Sequence, residues 1–322
     1  MTMKTKLLIC LGALLGVAAV DVVKNKIEMP RAKLTVKVMD EQGASMPSAL
    51  VTFNFMDPAT RNAIQIEGLT NAAGNFSGEG QTDGVMSGGV SKEGFYQGGF
   101  SFTGFTGLQN GRWQPWDATY TTNLRPILNP VAMYAKRVQV DLPVLDQLCG
   151  YDLEKGDWVA PYGKGKKPDF TFKGHREFKT RNDFDVRVEL TFANPADGLI
   201  RTELPAVGKY STFKWDREAP KAEYPQDIHL RNAANANEVI HSYERTDTFF
   251  FRVRTIAQNG RIIAANYGKI SGGLRLDGMN SKTCTVLFTY YLNPTSLDRN
   301  MEWDPKRNLI TGLSWEENPR EP

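Results

Sequence analysis

Hydrophobic and polar side chains alternate with a period of two along several segments of the chain. The clearest case is 184–192, where every second residue is phenylalanine, valine or leucine and the residues between them are charged or threonine. A half-buried β-strand has this period. The same reading predicts further strands at 34–38, 49–55, 63–66, 131–140, 249–254 and 284–291. Asn259-Gly260 lies between two apolar runs and predicts a β-hairpin.

Turn residues separate these segments at short intervals, and this spacing is typical of β-sandwiches. We therefore predict an all-β protein of two sandwich domains, the first at 31–142 and the second at 168–322, with a linker at 143–167. Helix is expected only in short pieces, near 233–241.

The segment 74–111 is rich in glycine, with 12 glycines in 38 residues. Two interpretations stay open: short hairpins around aromatic core residues, or a place where a ligand approaches the backbone closely. The segment lacks the GxxxxGK[ST] pattern of a phosphate-binding loop.

The first 19 residues carry an early positive charge, an apolar run and small residues at the end. This pattern predicts a secretory signal peptide at 1–19, followed by a polar tether at 20–30. We expect an exported protein, periplasmic, secreted or at the cell surface, without a membrane span in the mature chain.

Charge and cysteine content narrow the function classes. Lysine and arginine number 39 against 36 acidic residues. No run of basic residues is long enough to contact successive phosphates of a nucleic acid, so no nucleic-acid partner is predicted. Removal of the leader leaves Cys149 and Cys284. In an oxidising compartment they either form one disulfide or stay as buried thiols.

Several short motifs follow one another between residues 33 and 105. A strand leads to a DEQG turn at 40–43, then MPSALV at 46–51, TNAAGNF at 70–76 and VSKEGF at 90–95. This order resembles the carboxypeptidase regulatory-like domain, which has a prealbumin-like (transthyretin-like) sandwich. The resemblance implies a seven-stranded Greek-key module without catalytic residues, and the sequence departs from the pattern at Asn71, where the family has aspartate. The rest of the chain resembles uncharacterised exported bacterial proteins.

Such modules accompany peptidases, and three groups of residues in this chain are candidates for catalysis. His241 and Glu244 fit H-x-x-E, but no histidine follows to complete a zinc site, and a polar turn is the expected structure. The acidic group Asp152, Glu154 and Asp157 is either a carboxylate set for glycoside hydrolysis or a solvated loop. Cys149 as a nucleophile would need a nearby histidine. We predict no catalytic residue, no metal and no cofactor.

Aromatic residues carry the remaining binding signal. Trp113 and Trp116 flank a proline in the glycine-rich half, and a second possible set comprises Trp158, Tyr162 and Trp215. They are predicted to be either exposed platforms for a sugar or protein, or core residues. The predicted function is a non-enzymatic binding or scaffolding protein of the cell envelope with a glycan or protein partner. The alternatives are a secreted or periplasmic hydrolase acting on peptides or polysaccharides, and a surface assembly built through an unpaired edge strand.

Overall fold

The computed structural model of the chain describes residues 29–56, 60, 62–202, 211–242, 247–278 and 282–322. Every regular element in these residues is a β-strand, which confirms the all-β prediction. The predicted signal peptide, most of the tether and Glu244 lie outside the described residues. Among the residues described, there is no helix with the length and apolar character needed to cross a membrane.

Nine strands build the first sandwich. They are β1 (Arg31–Met39), β2 (Leu50–Met56), β3 (Ala63–Leu69), β4 (Asn75–Gln81), β5 (Met86–Ser91), β6 (Gly98–Phe102), β7 (Gly107–Gln109), β8 (Arg112–Gln114) and β9 (Ala118–Asn123). One sheet has the order β4-β1-β8-β7 with β9 also paired to β1, and the other has the order β3-β2-β5-β6. Alternate residues of β1 are buried, and they share one apolar core with Val51 and Phe53 of β2.

The glycines of this sandwich make room for phenylalanine rings. A Cβ atom on Gly78 would lie 2.4 Å from the ring of Phe53, and one on Gly80 would lie 2.6 Å from the ring of Phe55. No side chain fits at those distances, so glycine lets the rings lie directly against strand β4. At these two positions the glycines serve aromatic core packing, the first of the two interpretations of the glycine-rich segment.

Twelve strands build the second sandwich. They are β10 (Val131–Asp141), β11 (Leu148–Asp152), β12 (Asp157–Trp158), β13 (Phe170–Thr180), β14 (Asp183–Thr191), β15 (Gly198–Thr202), β16 (Ile228–Ala234), β17 (Val239–His241), β18 (Thr248–Gln258), β19 (Arg261–Asp277), β20 (Thr285–Leu292) and β21 (Trp303–Asn308). The sheet orders are β15-β18-β19-β20-β10-β21 and β12-β11-β13-β14-β16-β17. Phe170 and Phe172 from one sheet meet Phe251 and Phe288 from the other in a continuous core.

The boundary between the two sandwiches lies before β10, earlier in the chain than the predicted boundary at 142. Strand β10 pairs with β20 and β21, so it belongs to a sheet of the second sandwich. The predicted linker at 143–167 contains β11 and β12, which pair in the other sheet of the same sandwich. The helix expected near 233–241 is also wrong, because β16 and β17 occupy this segment as an antiparallel pair.

The two cysteines are free thiols, which corrects the disulfide alternative. The Sγ atom of Cys149 faces the carbonyl oxygen of Val144, and that of Cys284 faces the carbonyl oxygen of His175. Burial raises the pKa of both thiols, and that of Cys284 reaches about 12. Such thiols are poor nucleophiles at neutral pH.

A buried carboxylate joins the two sandwiches. Glu302 accepts hydrogen bonds from the Tyr96 hydroxyl at 2.8 Å and from the backbone N–H groups of Leu128 at 2.8 Å and Asn129 at 2.9 Å. The guanidinium of Arg217 lies 3.2 Å from the same carboxylate. Burial, reinforced by the hydrogen bond to Glu302, raises the pKa of Tyr96.

Lys269 is fully buried beside this carboxylate. Its Nζ atom donates to the carbonyl oxygen of Met301 at 2.9 Å, and three aromatic rings surround it. The centroids of Phe213 and Trp215 are 5.2 Å away, and that of Tyr291 is 4.8 Å away. Burial lowers the pKa of Lys269, since the rings replace the water that would hydrate an ammonium group.

Candidate functional site

The predicted aromatic residues lie in different surroundings. Trp158 is buried in the core of the second sandwich against Tyr151, and Trp215 is buried against Phe250. Both rings are closed to a ligand, which corrects their assignment as binding residues. Tyr162 is 44% exposed in the loop after β12. The rings of Trp113 and Trp116 are half-buried in the first sandwich, and a role for them in binding stays a prediction.

Trp113 is held in place by its own hydrogen bond, because its Nε1–H donates to the carbonyl oxygen of Thr82 at 3.0 Å. Trp116 packs under the guanidinium of Arg112, which lies 4.7 Å from the ring centroid. The most exposed tryptophan is Trp315, which the sequence analysis did not select.

The predicted acidic group does not form a solvated loop. Asp152 is buried, and its carboxylate accepts backbone N–H groups at 2.8–3.1 Å. The donors belong to Glu154, Lys155, Lys166 and Lys167. Asp157 accepts from the N–H of Trp158 and of Lys164. These carboxylates fix the conformation of the loops around β12.

His241 lies exposed on the edge strand β17. In the described ranges, histidine, cysteine and acidic side chains form no cluster of three or more that could hold a metal ion.

A different surface brings charged side chains together. Strands β13, β14 and β16 are neighbours in one sheet, and their apolar residues alternate inward to the core. The residues between them point to solvent and surround a shallow cavity of about 320 Å³. We call this surface the polar face, and its side chains are Lys173, His175, Arg187, Glu189, His229 and Arg231.

Three basic side chains lie in one row across the polar face. His175 of β13 is the register partner of Arg187 of β14, and Arg187 is the register partner of Arg231 of β16. Like charges placed directly opposite each other on neighbouring strands destabilise a sheet. The row therefore needs a compensating negative charge.

Asp185 supplies this charge. Its Oδ1 atom accepts from the Nε–H groups of Arg187 at 3.2 Å and Arg231 at 3.1 Å, and its Oδ2 atom accepts from their terminal nitrogens at 2.6 Å and 2.8 Å. Burial raises the pKa of Asp185, but the two arginines outweigh it and bring the pKa below its ordinary value. One carboxylate thus holds two guanidinium groups in fixed positions.

Each guanidinium retains donors for a ligand. A guanidinium has five N–H groups, and Asp185 engages two of them on each arginine. Within the described part of the chain, no further hydrogen-bond partner is found for the other N–H groups of Arg187 and Arg231. Both side chains are exposed, at 60% and 42%. The arrangement can bind a planar oxyanion through paired N–H groups.

His175 adds a charge that depends on pH. Its Nδ1 atom lies 2.7 Å from the carboxylate of Asp146, and its Nε2 atom lies 3.7 Å from that of Glu177. The hydrogen bond to Asp146 is the main cause of a pKa above the ordinary histidine value. On the other edge of the cavity, His229 contacts Asp227 at 3.0 Å.

We expect an NMR titration of the His175 ring to give a pKa above the ordinary histidine value, and Asp146→Asn to lower it, because the neutral amide no longer stabilises the imidazolium. A raised pKa in the folded state contributes stability below the ordinary pKa and loses it as pH rises through the raised value. The stability difference between the wild type and Asp146→Asn should therefore be larger at pH 5 than at pH 8. The His229 resonance in the Asp146→Asn variant is the internal control. An unchanged His175 titration would contradict the assignment.

A second, smaller hollow of about 110 Å³ adjoins the polar face and shares Arg231. Its lining has three carboxylates, Glu177, Asp183 and Asp185, against the two cations Lys179 and Arg231, a formal charge of −1. Charged side chains of both signs thus lie side by side on this surface.

Comparison with known proteins gives a limited result. No family model and no curated protein matches the chain. Among solved structures it is similar to a 3-chlorocatechol 1,2-dioxygenase from Rhodococcus opacus 1CP, at 9% identity and a TM-score of 0.27, over 32% of this chain and 63% of the dioxygenase. It is also similar to a putative carbohydrate binding protein from Bacteroides uniformis ATCC 8492, at 10% identity and a TM-score of 0.18, over 84% of this chain and 99% of that protein. Both TM-scores are too low to assign a function.

The fold and the polar face together define an all-β protein with two sandwiches and a charged, concave sheet surface. The resemblance of 33–105 to the carboxypeptidase regulatory-like domain stays a prediction.

Proposed function

We propose that this chain is an exported, non-enzymatic binding protein of the cell envelope, and that its ligand lies on the polar face. The supporting observation is the row of basic side chains in register across three strands. Asp185 holds both guanidinium groups in place and leaves N–H donors of each free beside the cavity, where a ligand would use them.

The hydrolase alternative needs accessible titratable groups that converge on a substrate. The acidic residues singled out from the sequence have other roles in the structure. Asp152 is engaged by backbone N–H groups, and Asp157 is engaged by two more. These contacts favour a binding role over a hydrolytic one for this part of the chain.

The proposal is tested by filling the cavity. Glu189 lies at the centre of the polar face, between its register partners Lys173 and His229. Replacing Glu189 with tryptophan places a large ring where the ligand would lie, and tryptophan is well tolerated in strands. We expect Glu189→Trp to abolish retention of the purified protein on an array of envelope glycans without changing its circular dichroism spectrum.

Two comparison variants locate the effect. Ser101→Trp places the same ring on an exposed position of β6 in the first sandwich and should leave retention unchanged. Trp116→Ala tests the aromatic hypothesis in that sandwich. If Glu189→Trp retains glycan and Trp116→Ala does not, the binding site lies on the first sandwich and the proposal is wrong.

A further inference from the structure

We propose that strand β3 joins two copies of this chain in a symmetric dimer, in which the two β3 strands pair antiparallel and one sheet continues across both molecules. The polar face lies on the other sandwich, so the dimer does not depend on its ligand. Three features of β3 support the pairing: a free edge, the lack of any group that protects this edge, and a sequence that is complementary to itself.

Strand β3 lies at the edge of its sheet. In the described part of the chain it pairs only with β2, from Leu69 to Ala63. The N–H of Thr70, just after the strand, donates to the carbonyl oxygen of Ala49 beside β2. Backbone groups of successive residues point to opposite sides of a strand, so those of every second residue of β3 face away from β2. These outward residues are Ala63, Gln65, Glu67 and Leu69.

Strand β3 lacks the features that protect an edge strand from pairing. Natural edges are closed by proline, lysine, a β-bulge or a covering segment. β3 has no proline and no basic residue, and its register with β2 is continuous. Ile64 and Leu69 are exposed, at 42% and 61%. A regular edge strand with exposed apolar side chains favours pairing with another strand.

Among the described strands, most other sheet edges are short or covered. β7, β12 and β17 have only two or three residues each. β21 contains Pro305 followed by lysine and arginine. The N–H of Leu199 in β15 donates to the carbonyl oxygen of Pro225. β6 and β9 lie beside each other, where the hydroxyl of Thr122 donates to the carbonyl oxygen of Gly99.

Strand β4 is the other long edge of the first sandwich, but its outer side is partly used. The N–H of Asn71 donates to the carbonyl oxygen of Asn75 at 2.9 Å, and its Oδ1 atom accepts from the N–H of Asn75 at 3.0 Å. Gly78 and Gly80 leave the inner face of β4 without side chains at two positions. Pairing of two β4 strands would therefore form fewer hydrogen bonds and less apolar contact than pairing of two β3 strands.

The sequence of β3 is complementary to itself. A two-fold axis through Ile66 aligns the full length of the two strands and pairs outward residues with outward residues. Gln65 then lies opposite Glu67 of the second copy, so a neutral amide faces each carboxylate. An axis through Glu67 would place two carboxylates opposite each other, which destabilises a sheet. An axis through Gln65 would leave Leu69 beyond the end of the second β3 strand.

This register also covers apolar side chains. Ile66 lies on the axis against its own copy, in a pair without hydrogen bonds, where side chains approach most closely. Ile64 lies opposite Gly68 of the second copy. Gly68 has no side chain, and the ring of Phe76 packs directly against it. Ile64 would therefore cover the edge of the neighbouring apolar core.

The mass of the purified protein in solution tests the dimer. We expect sedimentation equilibrium to show a reversible monomer–dimer equilibrium. Gln65→Glu should weaken the dimer about tenfold, because the two-fold axis creates two contacts between like charges. Adding Glu67→Lys to Gln65→Glu should restore the dimer, because each contact then joins opposite charges. Gln81→Glu makes the same change on β4 and is the matched control, which should dimerise normally.

Glu67→Pro tests the backbone hydrogen bonds. The N–H of Glu67 faces the free edge, so proline removes a donor there without removing one from the pairing with β2. We expect this variant to be a monomer with an unchanged circular dichroism spectrum. Gln65→Glu leaves the backbone intact and decides the question if Glu67→Pro does not fold.

Other results would overturn the inference. A monomer at every concentration would show that the β3 edge does not pair. A dimer that Gln65→Glu does not weaken would be joined through another surface, and its loss in Gln81→Glu would identify that surface as β4. A mass that rises beyond that of a dimer would show head-to-tail assembly in place of a two-fold axis.

Discussion

Replacing Glu302 with alanine is expected to lower the free energy of unfolding by about 3–5 kcal/mol, the cost of removing one partner from a buried, hydrogen-bonded ion pair. The carboxylate is 2% exposed and accepts from the Tyr96 hydroxyl and from two backbone N–H groups. Without it, these buried donors lose their acceptor, and the guanidinium of Arg217 keeps only Glu41 at 3.5 Å and the carbonyl oxygen of Pro126 at 2.8 Å. Urea unfolding followed by tryptophan fluorescence measures the change.

The matched control is Glu218→Ala. Glu218 also pairs with an arginine, Arg299, but its side chain is 65% exposed. An exposed ion pair contributes about 0–1 kcal/mol, so this variant should unfold close to the wild type. If Glu302→Ala were no more destabilising than Glu218→Ala, the carboxylate would not be a structural link between the sandwiches.

Glu302→Ala should also change how the sandwiches are joined. Tyr96 belongs to the first sandwich, and Glu302 directly precedes β21 of the second. Loss of this contact should produce a second unfolding transition, because each sandwich retains its own apolar core. A single transition at lower urea concentration would show that the remaining contacts between the sandwiches are enough to couple them. These are Arg125, which pairs with Glu41 and donates to the carbonyl oxygen of Phe213, and the stacked rings of Tyr96 and Phe213.

The alternation of side chains was a reliable guide to strands and a poor guide to their partners. The segment at 34–38 lies within β1, and that at 184–192 lies within β14 except for Phe192, because one face of each strand is buried and the other is not. Strand β10 was also recognised from its sequence, yet it was assigned to the wrong sandwich. Its partner β20 begins more than 140 residues later, and a local pattern contains no information about so distant a partner.

The short helix expected near 233–241 failed for a related reason. Alanine and asparagine at 233–237 carry little strand propensity, but pairing of β16 with β14 and β17 overrides local preference. The Asn259-Gly260 hairpin succeeded because its signal is local: both residues have a positive φ, as the turn between β18 and β19 requires.

The sequence did not predict the polar face, because each of its charged residues, taken alone, is typical of a solvated strand. Charged residues between the apolar positions of β14 look like a solvated strand face. The sequence does not show that Arg187 lies between His175 and Arg231, since register is a property of three strands together. The outward positions of β13 and β16 carry histidine beside arginine or lysine, and this combination was the available signal.

The second large effect is expected at Asp169, in the core of the second sandwich. Its carboxylate is 1% exposed, accepts from Nε and a terminal nitrogen of Arg254 at 2.7 Å each, and accepts from the N–H of Leu153 at 2.9 Å. Arg254 lies at a β-bulge of β18, with a φ of 60°, so its backbone conformation is unusual for a residue with a side chain. Asp169→Ala should destabilise the protein by about 3–5 kcal/mol, because the guanidinium of Arg254, only 16% exposed, loses its main partner. Thermal and urea unfolding measure the loss.

Two further variants show whether charge is the cause. Asp169→Asn keeps an oxygen for the N–H of Leu153 but removes the negative charge. Its free energy of unfolding should therefore lie between those of the wild type and Asp169→Ala. Glu79→Ala breaks the exposed pair with Arg31 and should cost about 1 kcal/mol or less. Because Asp152 and Glu154 also lie beside Arg254, a loss at Asp169 no larger than that at Glu79 would mean that these two carboxylates are sufficient to stabilise the guanidinium. In that case the bulge at Arg254 would be held by Asp197, which accepts from the backbone N–H groups of Arg254 and Thr255.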